Sequence, residues 1–444
     1  MIPSKSTITA RQIAKTWWPL AASWILMALE APAINIVITR LANPEIHLAA
    51  YGSLVFPLAL LIEAPIIMML AASTALCSDW ITYRKVRRFM HILSFGLTFL
   101  HALIAFTPLF GLIARHVLSA PEEIIEPARI GLMVSLPWTW AIAYRRFNQG
   151  VLIRFGHSLA VGLGTIVRLV ADCSVLAIGY AIGTIQGTAI ATATIISGVL
   201  LEALYIGLRV RSVLRDQLPE ASTAQESFSY RAFLRFYVPL SLTSLILLGT
   251  RPLFSAGVGR MLDPLASLAV LPVITSVTFF FRASGVAFSE VVIATLEKPN
   301  SYFALRRFVI GLTAAITAGI LVIASTPLGT LWFGTITGLS PELLALARTG
   351  LWFAVLLPAL SAIQSWFQGI VMHHKRTRAI TEAVILYLVV TAVVLIAGIA
   401  WGRVRGVYVA LVAMTVGEVV RTAWLGWRSH EARATLQSRD GMTS

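Results

Sequence analysis

The sequence predicts an all-α polytopic membrane protein with about twelve transmembrane helices. They form two parallel six-helix lobes related by a pseudo-twofold axis along the membrane normal. Three observations carry this. The 444 residues are 57% hydrophobic and only 12% charged, with a mean hydropathy of +0.82; a soluble domain carries about 25% charged residues. Apolar segments of about 20 residues recur along the chain, each long enough to cross roughly 30 Å of hydrocarbon. The chain also repeats itself at an offset of about 220 residues.

The repeat runs from end to end of each half. Pro19, Pro32, Arg40 and Pro44 recur as Pro239, Pro252, Arg260 and Pro264. Arg87-Arg88-Phe89 recurs as Arg306-Arg307-Phe308, and Thr107-Pro108-Leu109 as Thr326-Pro327-Leu328. Gln149-Gly150 returns as Gln368-Gly369, Gly187 as Gly406, Gly198 as Gly417, and Gly207/Arg209 as Gly426/Arg428. Such a duplication is a signature of secondary transporters, in which two lobes rock around a site between them.

Taken in order, the first span covers roughly 15–39. Lys5, Arg11 and Lys15 precede it and no small-residue cleavage site follows, so it is a retained span rather than a signal peptide. Trp17 and Trp18 suit its interfacial end, as Trp427 suits the end of the last span. Apolar runs then place spans at roughly 48–74, 89–114, 128–149, 159–183 and 186–208. The segment 210–232, with Asp216, Pro219, Glu220, Ser222, Gln225 and Glu226, is the one polar linker, and it falls at the junction the duplication requires. Spans at roughly 234–259, 266–293, 307–333, 345–371, 379–401 and 404–428 complete the second half. The organisation is therefore an N-terminal lobe over 1–209, a cytoplasmic linker over 210–232, a C-terminal lobe over 233–430 and a short cytoplasmic tail over 431–444. Six spans per half is an even number, which makes the repeats parallel.

The net charge of +15 sits in alternate loops. Arg84-Lys85-Arg87-Arg88, Arg145-Arg146-Arg154, Arg209-Arg211-Arg215, Lys298-Arg306-Arg307 and His373-His374-Lys375-Arg376-Arg378 share one side with both termini. The opposite loops hold Glu122, Glu123 and Glu126 or almost no charge. Both termini are therefore expected to be cytoplasmic. With no soluble module to carry it, nucleic-acid binding is excluded as the reason for the basic balance. Cys77 and Cys173 form neither a disulfide framework nor a metal-spaced set, so no metal or cofactor is expected. No phosphate loop and no catalytic constellation appears. The chain reads as a non-enzyme, driven, if it works uphill, by an ion gradient.

Charges inside the spans mark candidate sites, because a charge at mid-bilayer costs about 2.5–3.5 kcal/mol on insertion scales and normally faces a cavity or a partner. Glu30 lies near the middle of span 1 and Pro32 follows it; Arg251 lies in the matching stretch of span 7, just before Pro252. Both prolines are candidate helix kinks. Glu63 in span 2 and Arg282 in span 8 form a second near-equivalent pair of opposite sign, with Glu290 two turns beyond Arg282. Two readings are open: a central cavity with carboxylates for coupling and arginines for anions, or structural ion pairs across the lobes. Arg suits planar, bidentate recognition of carboxylate or phosphate. Arg168 and Asp172 are four apart on span 5 and share a helix face, as do Glu418 and Arg421 on span 12; both pairs read first as self-neutralised. His101 in span 3 reads first as a satisfied structural histidine, with a proton relay as the second reading. Arg145 and Arg146 read as snorkelling anchors at the end of span 4.

The arrangement resembles the multidrug/oligosaccharide-lipid/polysaccharide (MOP) exporter superfamily, and is MATE-like. In local wording it is most similar to the progressive ankylosis protein family. Trp18-Pro19-Leu20, Ala50-Tyr51-Gly52, Val238-Pro239-Leu240 followed by Arg251-Pro252, and Val416-Gly417-Glu418 carry the likeness, over about residues 12–430. The resemblance implies a rocker-switch carrier with a cavity lined by spans 1, 2, 7 and 8, exporting small polyanions such as pyrophosphate, nucleotide or citrate. By it Arg251 carries over directly, Tyr51 is a further candidate, and Glu30 stands one position from the family's carboxylate.

The function expected from the sequence is thus a secondary active or facilitative exporter of small organic or phosphate-bearing anions in a bacterial-type inner membrane. It would be monomeric, with a proton or sodium as possible coupling ion. A cation/drug antiporter of the multidrug type and a lipid-linked precursor flippase are the alternatives.

Overall fold

The computed structural model describes residues 9–220, 229–298, 300–374 and 378–441. The linker residues Ser222, Gln225 and Glu226, the loop residues Lys375 and Arg376, Lys5 and the last three residues lie outside the described residues.

The described chain is helical throughout. Helix α1 spans Ala10–Ile38, α2 Pro44–Leu76 and α3 Trp80–Phe106. Helix α4 runs as Glu122–Val134 and Leu136–Arg154 with Ser135 between, α5 as Ser158–Ile182 and α6 as Gly187–Asp216. The second half supplies α7 (Tyr230–Val258), α8 (Pro264–Thr295), α9 (Ser301–Ser325), α10 (Pro341–His373), α11 (Arg378–Trp401) and α12 (Gly406–Arg428). A short polar helix, α13 (His430–Gly441), follows. Among the described residues eleven helices are long and apolar enough to cross a membrane. Helix α4 makes the twelfth; Arg145, Arg146 and Arg154 in its second part interrupt its apolar character.

Local chemistry sets the ends. Asp79 caps α3 by accepting from the Thr82 N–H at 2.8 Å, and the Thr82 hydroxyl accepts the Asp79 N–H at 3.3 Å. Residues before proline avoid the helical region. Thr107 and Thr326 are accordingly extended, and their hydroxyls accept the N–H of Leu109 and Leu328, each at 3.3 Å. The repeated Thr-Pro-Leu motif therefore ends α3 and α9, and these helices start and stop about eight residues before the 89–114 and 307–333 boundaries read from hydropathy. Helix α1 breaks at Leu29, directly before Glu30, where Pro32 can donate no N–H to the Ala28 carbonyl; α7 runs unbroken through Pro239 and Pro252.

The chain divides into two compact units. The first comprises Val37–Arg260 and Pro264–Ala269; the second comprises the described residues up to Ile36, Met261–Asp263 and those from Val270 onward. Each repeat's opening helix thus packs with helices of the other repeat. In the second unit the Trp17 indole donates to the Ser284 carbonyl at 2.9 Å and meets Phe308 edge-on at 5.6 Å. In the first unit the Tyr237 hydroxyl donates to the Pro65 carbonyl at 2.5 Å and its ring meets Phe89 edge-on at 5.1 Å. The three residues of each set correspond position by position through the repeat, so both units use one docking solution.

Within each unit the fifth and sixth helices of the repeat approach closely. A Cβ on Gly198 would stand 2.0 Å from Asp172 Oδ1, and one on Gly417 would stand 2.6 Å from Thr391 Oγ1. The repeated glycines therefore let α6 and α12 sit directly against the side chains of α5 and α11.

Helix α13 is anchored in the second unit by its last residues. Asp440 accepts the Tyr302 N–H at 2.8 Å, and Arg439 donates to the Leu296 carbonyl at 2.9 Å. Burial works to raise the Asp440 carboxyl; hydrogen bonds from Arg439 and Tyr302 overcome it and hold the group below the usual carboxylate range.

Candidate functional site

Among the described residues, each unit contains a buried cluster of charged side chains, and three positions of one cluster correspond to three of the other through the repeat.

In the first unit, Arg145 and Gln149 lie four apart on α4 and both reach Glu202 of α6. Arg145 forms a buried ion pair with one carboxylate oxygen, and the Gln149 amide donates to the other at 2.9 Å. Arg168 and Asp172, four apart on α5, pair at 3.7 Å. Glu63 of α2 is 1% exposed, and its charged neighbours are Arg145, Arg146 and Arg168. Neither carboxylate oxygen of Glu63 has a hydrogen-bond partner among the described residues. Burying a charge without hydrogen bonds is expensive, so the three arginines supply Glu63 with through-space attraction alone. The six groups, Arg145, Arg146, Arg168, Glu63, Asp172 and Glu202, balance in formal charge.

In the second unit, Glu418 of α12 is the hub. Its carboxylate accepts from Arg282 of α8 at 3.0 Å, from Gln364 of α10 at 2.6 Å and from Arg421, one turn on, at 3.4 Å. Gln364 also donates to the Thr422 hydroxyl at 2.9 Å and to the Glu418 carbonyl at 3.3 Å. Here two cations face one anion.

By the repeat offset, Glu63 corresponds to Arg282, Arg145 to Gln364 and Glu202 to Arg421. The scaffold position is kept while the charge changes. The sequence reading of Glu418 and Arg421 as a local pair is therefore extended: Glu418 also takes Arg282, 136 positions away. The reading of Arg145 and Arg146 as snorkelling anchors is corrected. Arg145 is buried beside Glu202, because α4 continues to Arg154 and places residue 145 inside the bundle. Glu202 escaped the sequence reading altogether. The signal that could have found it is the repeat itself, which sets Glu202 opposite the charged Arg421.

The remaining candidates sit as follows. Glu30, half-buried, opens the second segment of α1 in the second unit, where Asn35 nearby donates to the Ser276 hydroxyl at 3.2 Å. Glu290 lies on an exposed face near the end of α8. Arg251 is exposed on α7 in the first unit, with its guanidinium 5.6 Å from the Phe56 ring centre. Phe56 stacks in turn on Trp138 at 5.9 Å and meets Tyr51 at 6.1 Å. Tyr51 itself lies in a π-helical turn, Ala50–Val55. Cation–π contact of this kind attracts a guanidinium to the ring face. Both ring nitrogens of His101 are engaged, by Thr139 Oγ1 at 3.1 Å and the Leu132 carbonyl at 2.9 Å.

No known protein-family model matches the chain, and no curated protein matches it by sequence. Solved structures do. An inward-facing multidrug resistance MATE family transporter of the MOP superfamily is 17% identical with a TM-score of 0.70, over 92% of this chain and 96% of that one. The lipid II flippase MurJ, in an inward closed conformation, is 13% identical with a TM-score of 0.65, over 94% and 90%. A MOP superfamily transporter from Pyrococcus furiosus, described as having a binding pocket of reverse polarity that suggests a different function, is 19% identical with a TM-score of 0.61, over 96% and 99%. The chain thus has the all-helical fold of these transporters along almost its whole length.

Proposed function

We propose that this protein is a secondary transporter that moves small organic or phosphate-bearing anions across a bacterial-type inner membrane by alternating access, with both termini cytoplasmic. The observation that carries the anion preference is which charges remain reachable. The span acids Glu63, Asp172, Glu202 and Glu418 are each no more than 4% exposed and lie among arginines. Arg251 is exposed, and the Arg282 side chain keeps 21% of its surface. Glu30 is half-buried, and Glu290 lies toward one end of its helix. Two guanidinium groups, Arg251 and Arg282, are therefore reachable beside the half-buried Glu30, and guanidinium groups bind carboxylates and phosphates bidentately. Arg251 and Arg282 act as anion anchors, Glu63 carries the coupling proton, and Glu30 and Glu290 line the route. The transporter from Pyrococcus furiosus supports the idea that this fold accommodates pockets of altered polarity.

A thermal-shift screen of the purified protein tests this reading. A ligand at 100 times its Kd stabilises the folded form by about 2.7 kcal/mol. Citrate and pyrophosphate are expected to raise the apparent Tm by several degrees, while lipophilic cations and isoprenoid phosphates leave it unmoved. Stabilisation by the cations alone would replace the anion reading with a multidrug one, and by the isoprenoid phosphates alone with a flippase.

A further inference from the structure

We infer that the Glu418 carboxylate is a resident stand-in for the substrate's oxyanion, occupying an anion site made by Arg282, Arg421 and Gln364 within the second unit. This rests on the anion-transport reading above and deepens it by giving the Arg282 anchor of that reading a built oxyanion site.

The geometry of the cluster is that of a recognition site holding an internal ligand. Three side-chain donors from three helices converge on one carboxylate: Arg282 of α8 at 3.0 Å, Gln364 of α10 at 2.6 Å and Arg421 of α12 at 3.4 Å. The donors exceed what that carboxylate takes. A guanidinium carries five N–H groups. The Nε atoms of Arg282 and Arg421 are both buried and have no hydrogen-bond partner among the described residues. Charge tells the same story. The cluster holds one more cation than anion, whereas the equivalent cluster of the first unit is balanced. A buried structural lock is stable when its charges and hydrogen bonds are matched, and the second cluster is not matched. The arginine side chains also keep 21% and 13% of their surface, so they are not sealed in. Charged groups in a membrane span turn such surface toward an aqueous cavity rather than hydrocarbon.

An incoming carboxylate or phosphate group would supply more acceptor oxygens in bidentate geometry and displace Glu418 from the two guanidinium groups. Gln364 would keep α10 joined to α12 meanwhile, through the Thr422 hydroxyl and the Glu418 carbonyl, contacts that do not involve the carboxylate. When the anion leaves, Glu418 returns, so the empty carrier never exposes two uncompensated arginines.

The test is calorimetric titration of citrate and of pyrophosphate into the purified wild type, Glu418→Gln and Arg421→Gln. Removing the internal competitor is expected to tighten binding in Glu418→Gln by about tenfold, and removing a recognition group to weaken it in Arg421→Gln by about tenfold. Glu418→Gln that is folded, by its gel-filtration profile, yet binds both anions no more tightly than wild type overturns the stand-in role. If Glu418→Gln does not fold, Arg421→Gln decides, since it keeps the Arg282–Glu418 pair; unchanged affinity there overturns the site. Wild-type protein that binds neither anion defeats the anion reading itself. Tightening by citrate alone or pyrophosphate alone identifies the carboxylate or the phosphate as the group the site was shaped for.

Discussion

Arg145→Ala is expected to destabilise the protein by about 3–5 kcal/mol, the penalty for stranding one partner of a buried ion pair. The partner left behind is Glu202, which is 1% exposed on α6. Gln149 would remain on one of its oxygens, and the other would lose its donor. The loss should appear as a fall in apparent Tm and in the denaturant midpoint of detergent-solubilised protein, before any question of transport arises. Arg145→Gln should be much milder. The second repeat carries Gln364 at this position, and that amide already donates to a carboxylate at 2.6 Å. A loss below about 1 kcal/mol for Arg145→Ala, the range of an exposed pair, would show that the first cluster is not a packed, desolvated network.

Glu63→Gln should have the opposite profile, leaving stability nearly intact while abolishing coupling. The glutamine is close to isosteric, and the carboxylate it replaces makes no hydrogen bond among the described residues, so no partner is stranded. A group attracted only through space by Arg145, Arg146 and Arg168 can take up or release a proton without breaking a contact. In proteoliposomes, uptake driven by an imposed pH gradient is expected to fall at least tenfold, while exchange of labelled for unlabelled substrate without a gradient continues. Loss of both modes together, or gradient-driven uptake equal to wild type, would remove Glu63 from the coupling role.

The contrast between these two acids explains how much of the molecule was legible from its sequence. Helix number and class were readable because each span is a long apolar run and the duplication repeats its punctuation. The ends of α3 and α9 were not, because hydropathy cannot see a threonine hydroxyl capping the turn after Thr107 or Thr326. The docking of Trp17 on Ser284 and of Tyr237 on Pro65 was also invisible. It depends on which repeat each opening helix packs with, and no local pattern encodes that. Single mid-span charges such as Glu63 and Arg282 stood out against their apolar surroundings. Glu202 did not, because its partner Arg145 lies 57 residues away and looked like a loop residue. What the sequence showed truly was that the copies disagree in charge at matching positions. The structure adds that the Glu63/Arg282 disagreement falls within a buried cluster in each unit, balanced in the first and cationic in the second, while Glu30 and Arg251 lie outside both.

Counterflow in proteoliposomes asks whether the reachable arginines make this protein an anion carrier. Labelled citrate or pyrophosphate is offered outside vesicles loaded with the unlabelled anion, using wild type and Arg251→Ala. Wild type is expected to accumulate label and the variant to lose at least tenfold of that accumulation, with equal amounts of folded protein reconstituted. Anion counterflow by Arg251→Ala equal to that of wild type, or wild-type counterflow of lipophilic cations with none of either anion, would contradict that role for the arginines.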